Sequence, residues 1–157
     1  MSIEVVRTYL APLGWADKIM EFPVSSATVE LAAAALNTQP ARIAKTLSFA
    51  QGEGCLLVVC AGDTKIDNAK FKARFGMKAK MLSPQQALEM TGHAVGGVCP
   101  FALPPGVPVY LDESLRRFPT VFPAAGSSNS ALETTCCELE ALSQAAGWVD
   151  VCKGWEA

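Results

Sequence analysis

A mixed α/β domain with a largely antiparallel sheet is the fold class this sequence predicts, and three observations predict it. Apolar residues recur at helical spacing in some segments and alternate or run on in others. The run CLLVVCA at 55–61 has the continuous apolar character of a strand covered on both faces. Strand and helix signals do not alternate as in a doubly wound parallel sheet, and hairpin signals recur. With 157 residues, 50% of them hydrophobic, one core can bury roughly 70% of the unfolded surface, so a single domain over 1–157 is expected.

Ile3, Val6, Leu10 and Leu13 recur at helical spacing and predict a helix over 2–11 that Pro12 and Gly14 close. Residues 18–22 read as an edge strand ended by Pro23. Thr28 caps the helix VELAAAAL, which places Leu31 and Ala35 on one face, and Pro40 opens a further helical turn. Strands 44–51 and 55–61 flank Gln51-Gly52-Glu53-Gly54 as a hairpin. Asp67 or Asn68 caps a helix to Phe75, stopped by Gly76, with Phe71 and Phe75 inward. Ser83, Pro84 and Gln86 form a complete start signal for a helix that ends before Gly92. Residues 92–108 contain four glycines and four prolines and read as a loop around a short strand. Beyond it, strands are expected at 107–111, 119–125, 131–135 and 148–151, a helical turn at 114–117, and a helix over 138–146 stopped by Gly147.

The formal charge of -2 does not suit a protein that coats DNA, and no apolar run reaches the roughly 20 residues that cross a bilayer. The first residues lack a basic leader followed by an apolar core, so a cytoplasmic setting is expected. The six cysteines show neither a CxxC pair nor zinc spacing, and four lie in apolar surroundings where a reduced thiol packs as a small hydrophobe. The carboxylates show no metal-ligand spacing, and no metal or other cofactor is expected. Residues 65–80 concentrate positive charge: Lys70, Lys72, Arg74, Lys78 and Lys80 suit a local phosphate contact or, equally, a solvated helix face.

Three features could carry chemistry. Lys45 falls in phase with Leu47 and Phe49, so it either snorkels at the strand end or presents a cation to a cleft. Gly96 and Gly97, with Val98, Cys99 and Pro100 after them, form a loop whose backbone N–H groups could hold a carbonyl or oxyanion, or serve as a rigid turn. Gly126, Ser127, Ser128 and Asn129 either recognise a small polar group or close a hairpin. His93 is the sole histidine and lies near no nucleophile motif.

Together the segments SSATVELAAAAL (25–36), RIAKTLSF (42–49), AGDTKIDNAKFKARFG (61–76), TGHAVGGVCPFAL (91–103) and VYLDESL (109–115) resemble the YbaK/prolyl-tRNA synthetase associated domain family. The resemblance spans about residues 4–151 and implies a compact, partly closed sheet flanked by helices. It further implies deacylation of mischarged tRNA at its acceptor end, with tRNA(Pro) as the carrier and prolyl-tRNA synthetase as a candidate partner. By the same resemblance Lys45 engages the substrate near the acceptor end, Gly96 and Pro100 bound a loop that positions the aminoacyl carbonyl, and Thr28 borders the amino-acid pocket. The chain departs from both the histidine of alanine-clearing members and the Gly-Gly-Lys-Arg-Gly run of cysteine-clearing ones, reading VFPAAGSSNSALE there. A pocket for serine or threonine is the resulting expectation. The expected mechanism is water attack on a positioned ester, aided by the terminal ribose hydroxyl or by the substrate's own side chain. The rivals are a thiol hydrolase using Cys99 and a non-catalytic tRNA- or synthetase-binding module.

Overall fold

The computed structural model describes residues 2–156. Helix α1 (Ser2–Leu10) passes through a 3-10 turn into strand β1 (Met20–Glu21), and α2 (Val29–Leu36) follows. Thr28 starts α2 as expected, its Oγ1 accepting from the Leu31 N–H at 3.2 Å. Strands β2 (Ile43–Gln51) and β3 (Gly54–Ala61) make the hairpin, β4 (Lys65–Ile66) leads to α3 (Asn68–Phe75), and α4 (Pro84–Thr91) precedes the long loop. Then come β5 (Val109–Asp112), β6 (Phe122–Pro123), β7 (Ser130–Ala131), α5 (Cys136–Ser143), β8 (Gly147–Val149) and β9 (Cys152–Lys153).

The hairpin turns on Gly52, whose φ of 57° precedes a residue of negative φ, the pattern of a type II′ turn that matches strand twist. α3 begins at Asp67, whose carboxylate accepts from the Ala69 and Lys70 N–H groups. α4 begins with the full capping box of Ser83 and Gln86. These local signals were legible because cap and turn chemistry lies within a few residues of the chain.

The central sheet has the order β6-β2-β3-β5-β8. β3 is buried on both faces, as the sequence predicts. Leu57, Val59 and Ala61 meet α1 and α5 through Val6, Leu10, Leu139 and Leu142. Leu56, Val58 and Cys60 face the other way, against Phe71, Val149 and Cys152. Each large apolar side chain buried here contributes about 1.5–3 kcal/mol. On that second face Phe49, Phe71, Phe75 and Tyr110 follow one another with ring centroids 4.8, 4.7 and 5.0 Å apart.

The mixed class and the flanking helices agree with the sequence reading, and the central sheet carries parallel neighbours beside its antiparallel hairpin. Among the described residues, β2 and β3 pair antiparallel, whereas β2–β6, β3–β5 and β5–β8 are parallel. Antiparallel pairing recurs in the small sheets β1–β7 and β4–β9. The reason is connectivity: β5, β6 and β8 enter the sheet from loops or helices rather than from tight turns, and such crossovers yield parallel neighbours. Antiparallel bridges from Val121 to Thr134 and from Ala124 to Ala131 carry the sheet past β6 toward β7 and β1, which curls that end.

Several boundaries also move. Strands expected at 119–125 and 131–135 shrink to two residues each, and β4 and β9 were not foreseen. The last helix starts earlier, because Thr135 and Glu138 form a capping box, and it stops at Gln144, because the Ala146 N–H must donate to Val109 O as the chain enters the sheet. Leu13 and Leu31 are exposed, and α2 buries Ala32 and Ala33 instead.

Candidate functional site

The site grows from an interruption in the sheet. On its outer edge, β2 pairs with β6 only as far as Ala44 beside Pro123. Further along, Ser48 O accepts from the Leu82 N–H at 3.1 Å and the Ala50 N–H donates to Lys80 O at 2.8 Å. No strand covers residues 45–47 between these two contacts. By the two-residue period of a strand, Thr46 turns its backbone N–H and C=O toward that gap, as Ser48 and Ala50 turn theirs toward 80–82.

A cavity of about 350 Å³ fills the gap. The start of α2 forms one wall with Thr28, Val29 and Ala32; the loop at Val95, Gly96 and Val98 forms another. Lys45, Thr46 and Ser48 lie along the floor, with Ala124, Ser130 and Ala131 at one end. Lys45 is the one titratable side chain among the described residues that line it. Its stem is half-buried along the cleft wall and its ammonium donates to Thr64 O beyond the end of β3. Nearby, Asp63 is no candidate base, because the Arg117 guanidinium grips both its oxygens at 2.9 and 2.6 Å and holds its carboxyl below the usual range, with Lys45 adding to the effect.

The loop beside the cleft is tightly seated. Gly96 has a φ of 93°, and a Cβ there would lie 3.2 Å from the Ala27 Cβ. A Cβ on Gly97 would come within 3.0 Å of the Ser127 backbone. The two glycines are therefore needed where the 96–100 loop touches the 126–128 loop. Gly97 lies on the far side, where it lines a second cavity of about 320 Å³ with Gly126, Ser127, Ser128 and Asn129.

Cys99 and Pro100 are buried beneath the loop, and neither lines a cavity, which corrects the expectation that Cys99 borders the substrate. The structure does bring Cys99 Sγ to 3.5 Å from His93 Nε2. Both residues are almost wholly buried, however: burial pushes the thiol up to about 12 and the imidazole below its ordinary value. A thiolate–imidazolium pair is thus disfavoured. The thiol-hydrolase expectation is tested by Cys99→Ala, which should leave any ester hydrolysis within about twofold of the unsubstituted protein; a loss of more than about tenfold in a folded variant would restore the thiol mechanism.

The polar loop 126–129 is mostly occupied in holding the structure. Ser128 O accepts from the Ser26 N–H at 2.6 Å, and the Asn129 amide nitrogen donates to Phe22 O at 3.0 Å. That orientation fixes the direction of a hydrogen-bond chain. Asn129 Oδ1 accepts from the Ser127 hydroxyl at 2.9 Å. Having donated its only proton, Ser127 Oγ accepts from the Ser130 hydroxyl at 2.6 Å. Ser130, 1% exposed and lining the main cavity, is left with acceptor lone pairs alone. Across the floor, Thr46 Oγ1 is buried with no partner among the described residues. Sequence reasoning missed both residues: Ser130 lay just past the polar loop, and Thr46 was assigned only to the opposite strand face.

The basic residues lie on α3 and on the segment that leads from it to Met81 at the cavity. Lys70 is paired with Asp150 at 3.1 Å, and Arg74 lies over Phe75 and Tyr110. Lys72, Lys78 and Lys80 are exposed, and Met81, next in the chain, lines the cavity. Among the described residues no group of three His, Cys, Asp or Glu side chains could hold a metal ion, and no helix is long and apolar enough to cross a membrane.

Residues 24–142 match the aminoacyl-tRNA editing domain. The uncharacterised protein YwhH of Bacillus subtilis (strain 168) is 53% identical over 157 residues, spanning 99% of this chain and 100% of its own length. A protein solved as a candidate trans-editing enzyme for prolyl-tRNA synthetase superposes with a TM-score of 0.87 at 32% identity, covering 98% of both chains. A scaffold protein used for computational epitope grafting gives the same TM-score at 30% identity, again over 98% of both chains.

Proposed function

This chain belongs to the aminoacyl-tRNA editing domain family, and we propose that its cleft at the β2 edge hydrolyses the ester of a mischarged aminoacyl-tRNA. The observation that carries the reading is the composition of the cleft: one lysine, an open strand edge and a glycine loop, with no carboxylate or imidazole lining it. Such a site suits a reaction driven by placement and charge stabilisation rather than by a protein base.

In this mechanism the 96–100 backbone, with Gly96 and Pro100 at its ends, orients the acyl carbonyl, and Lys45 fixes the terminal nucleotide or its phosphate. A water attacks the carbonyl carbon, the tetrahedral intermediate collapses, and the ribose oxygen leaves with a proton relayed by the neighbouring ribose hydroxyl. Thr28, with Val98, borders the amino-acid side chain. Lys72, Arg74, Lys78 and Lys80 lead the acceptor arm to the cleft, with Lys70 also on α3. We read residues 1–157 as a single editing domain, with tRNA(Pro) as the carrier and prolyl-tRNA synthetase as the partner that charges it.

The chemistry of the pocket favours an amino acid bearing a hydroxyl. Ser130 lines the main cavity with acceptor lone pairs to offer, which a serine or threonine hydroxyl can answer and an alanine methyl cannot, and a polar group left unanswered discriminates strongly. The serine/threonine preference thus rests on Ser130, which Ser127 and Asn129 orient, rather than on Ser127, Ser128 and Asn129 as direct contacts. Ser130→Ala is expected to lower release of serine about tenfold relative to alanine; an unchanged ratio would remove Ser130 from substrate choice.

The deciding experiment measures free amino acid released from tRNA(Pro) charged separately with alanine, cysteine, serine and threonine, with a terminal 2′-deoxy substrate alongside. Selective release of serine or threonine supports the proposal, and equal rates on the deoxy substrate would remove ribose assistance. Salt-sensitive tRNA binding with no release from any substrate would favour the binding module, the reading that the basic residues alone support.

A further inference from the structure

We propose that His93, which is absent from the cleft, is the positioning residue that holds the 96–100 loop in its working shape; this rests on the deacylase reading above. His93 joins the two ends of the loop, through its backbone at one end and its ring at the other. Its own backbone N–H donates to Thr91 Oγ1 at 3.1 Å, and Thr91 Oγ1 donates to Ala87 O at 2.6 Å, which anchors it to the last turn of α4. Across the loop, Nε2 lies 2.8 Å from Phe101 O. A carbonyl oxygen only accepts, so Nε2 carries the proton and Nδ1 is a bare lone pair. Cys99 Sγ lies 3.5 Å from the same Nε2 and 3.9 Å from the same carbonyl, so the far end of the loop closes on this one ring.

Between these ends the chain contains Gly96 and Gly97, the residues with the most backbone freedom to lose. A hydrogen bond from Gly97 N–H to Ala94 O at 2.9 Å shapes the start of the loop. Its return is set by the Phe101 anchor. Were the anchor absent, the segment from Gly96 to Val98, whose ends line the cleft, would lose its fixed position against a bound substrate, and a displacement of about 1 Å is enough to cost on the order of a hundredfold in rate. The ring is 1% exposed and its Nδ1 has no partner among the described residues, so His93 serves neither as a solvent-facing base nor as a substrate contact.

The test compares wild type, His93→Leu and His93→Gln, whose amide N–H can reach the same carbonyl, at a temperature where thermal melts show all three folded. Steady-state release is measured together with amide hydrogen exchange at Gly96, Gly97 and Cys99. The expected result for His93→Leu is a kcat about tenfold to a hundredfold lower, a KM for charged tRNA within about twofold, and faster exchange in the loop, with His93→Gln recovering most of both. An unchanged kcat in His93→Leu, or loop exchange that does not respond, overturns the proposal, as does a loss that Gln fails to recover. If wild type releases no amino acid from any tRNA, the deacylase reading fails, and the exchange measurement alone then decides whether His93 orders the loop.

Discussion

Lys45→Ala is expected to slow ester release by about a hundredfold to a thousandfold, the loss typical of removing one preorganised donor that stabilises charge in a reacting site. Among the described residues lining the cleft no other side chain carries a charge, so nothing stands in for it. In the structure its ammonium uses one donor on Thr64 O, which leaves two for a phosphate or a ribose oxygen. Lys45→Met separates the two roles of the residue, because it keeps most of the apolar stem against the wall and removes only the charge. Stability should fall by no more than about 1.5 kcal/mol in either variant, the scale of one lost hydrogen bond. Single-turnover release with wild type, Lys45→Ala and Lys45→Met in parallel checks this. Full activity in Lys45→Met would reduce Lys45 to a strand-end residue and remove the cation from the mechanism.

The second large effect is on stability. Gly62→Ala is expected to cost about 3 kcal/mol and to lower Tm by about 6–12 °C. A Cβ at this position would lie 2.2 Å from Pro40 O and 2.7 Å from Val29 Cγ1. One of these neighbours is main chain in the turn that feeds β2, and the other belongs to the α2 wall of the cleft, so relief requires moving the backbone on one side. The backbone of Gly62 itself is unstrained, so the loss is wholly steric. Gly147→Ala is the control: nothing lies within 4 Å of a Cβ there, and a change below about 0.5 kcal/mol is expected. Equal melting temperatures for wild type and Gly62→Ala would mean that the α2 wall is free to shift, and the cleft would then have no fixed width on that side.

What the sequence by itself determined is local. The doubly buried β3, the hairpin turn at Gly52, the caps at Thr28, Asp67 and Ser83 and the phase of Lys45 all depend on residues within a turn or two of one another. The tertiary structure alone decided what depends on distant contacts. The Asn129 amide that directs the hydroxyl chain to Ser130 is set by Phe22, 107 residues away in sequence. Parallel entry of β5, β6 and β8 follows from crossovers that no local pattern encodes. Cys99 read as a loop residue that could be accessible, yet it lies in the core because the loop folds over it onto β5 and its neighbours. Thr46 lines the cavity because β6 stops at Pro123 and leaves the β2 edge open. Periodicity and cap chemistry act within a few residues, whereas a cavity exists only where separate segments converge without filling the space between them.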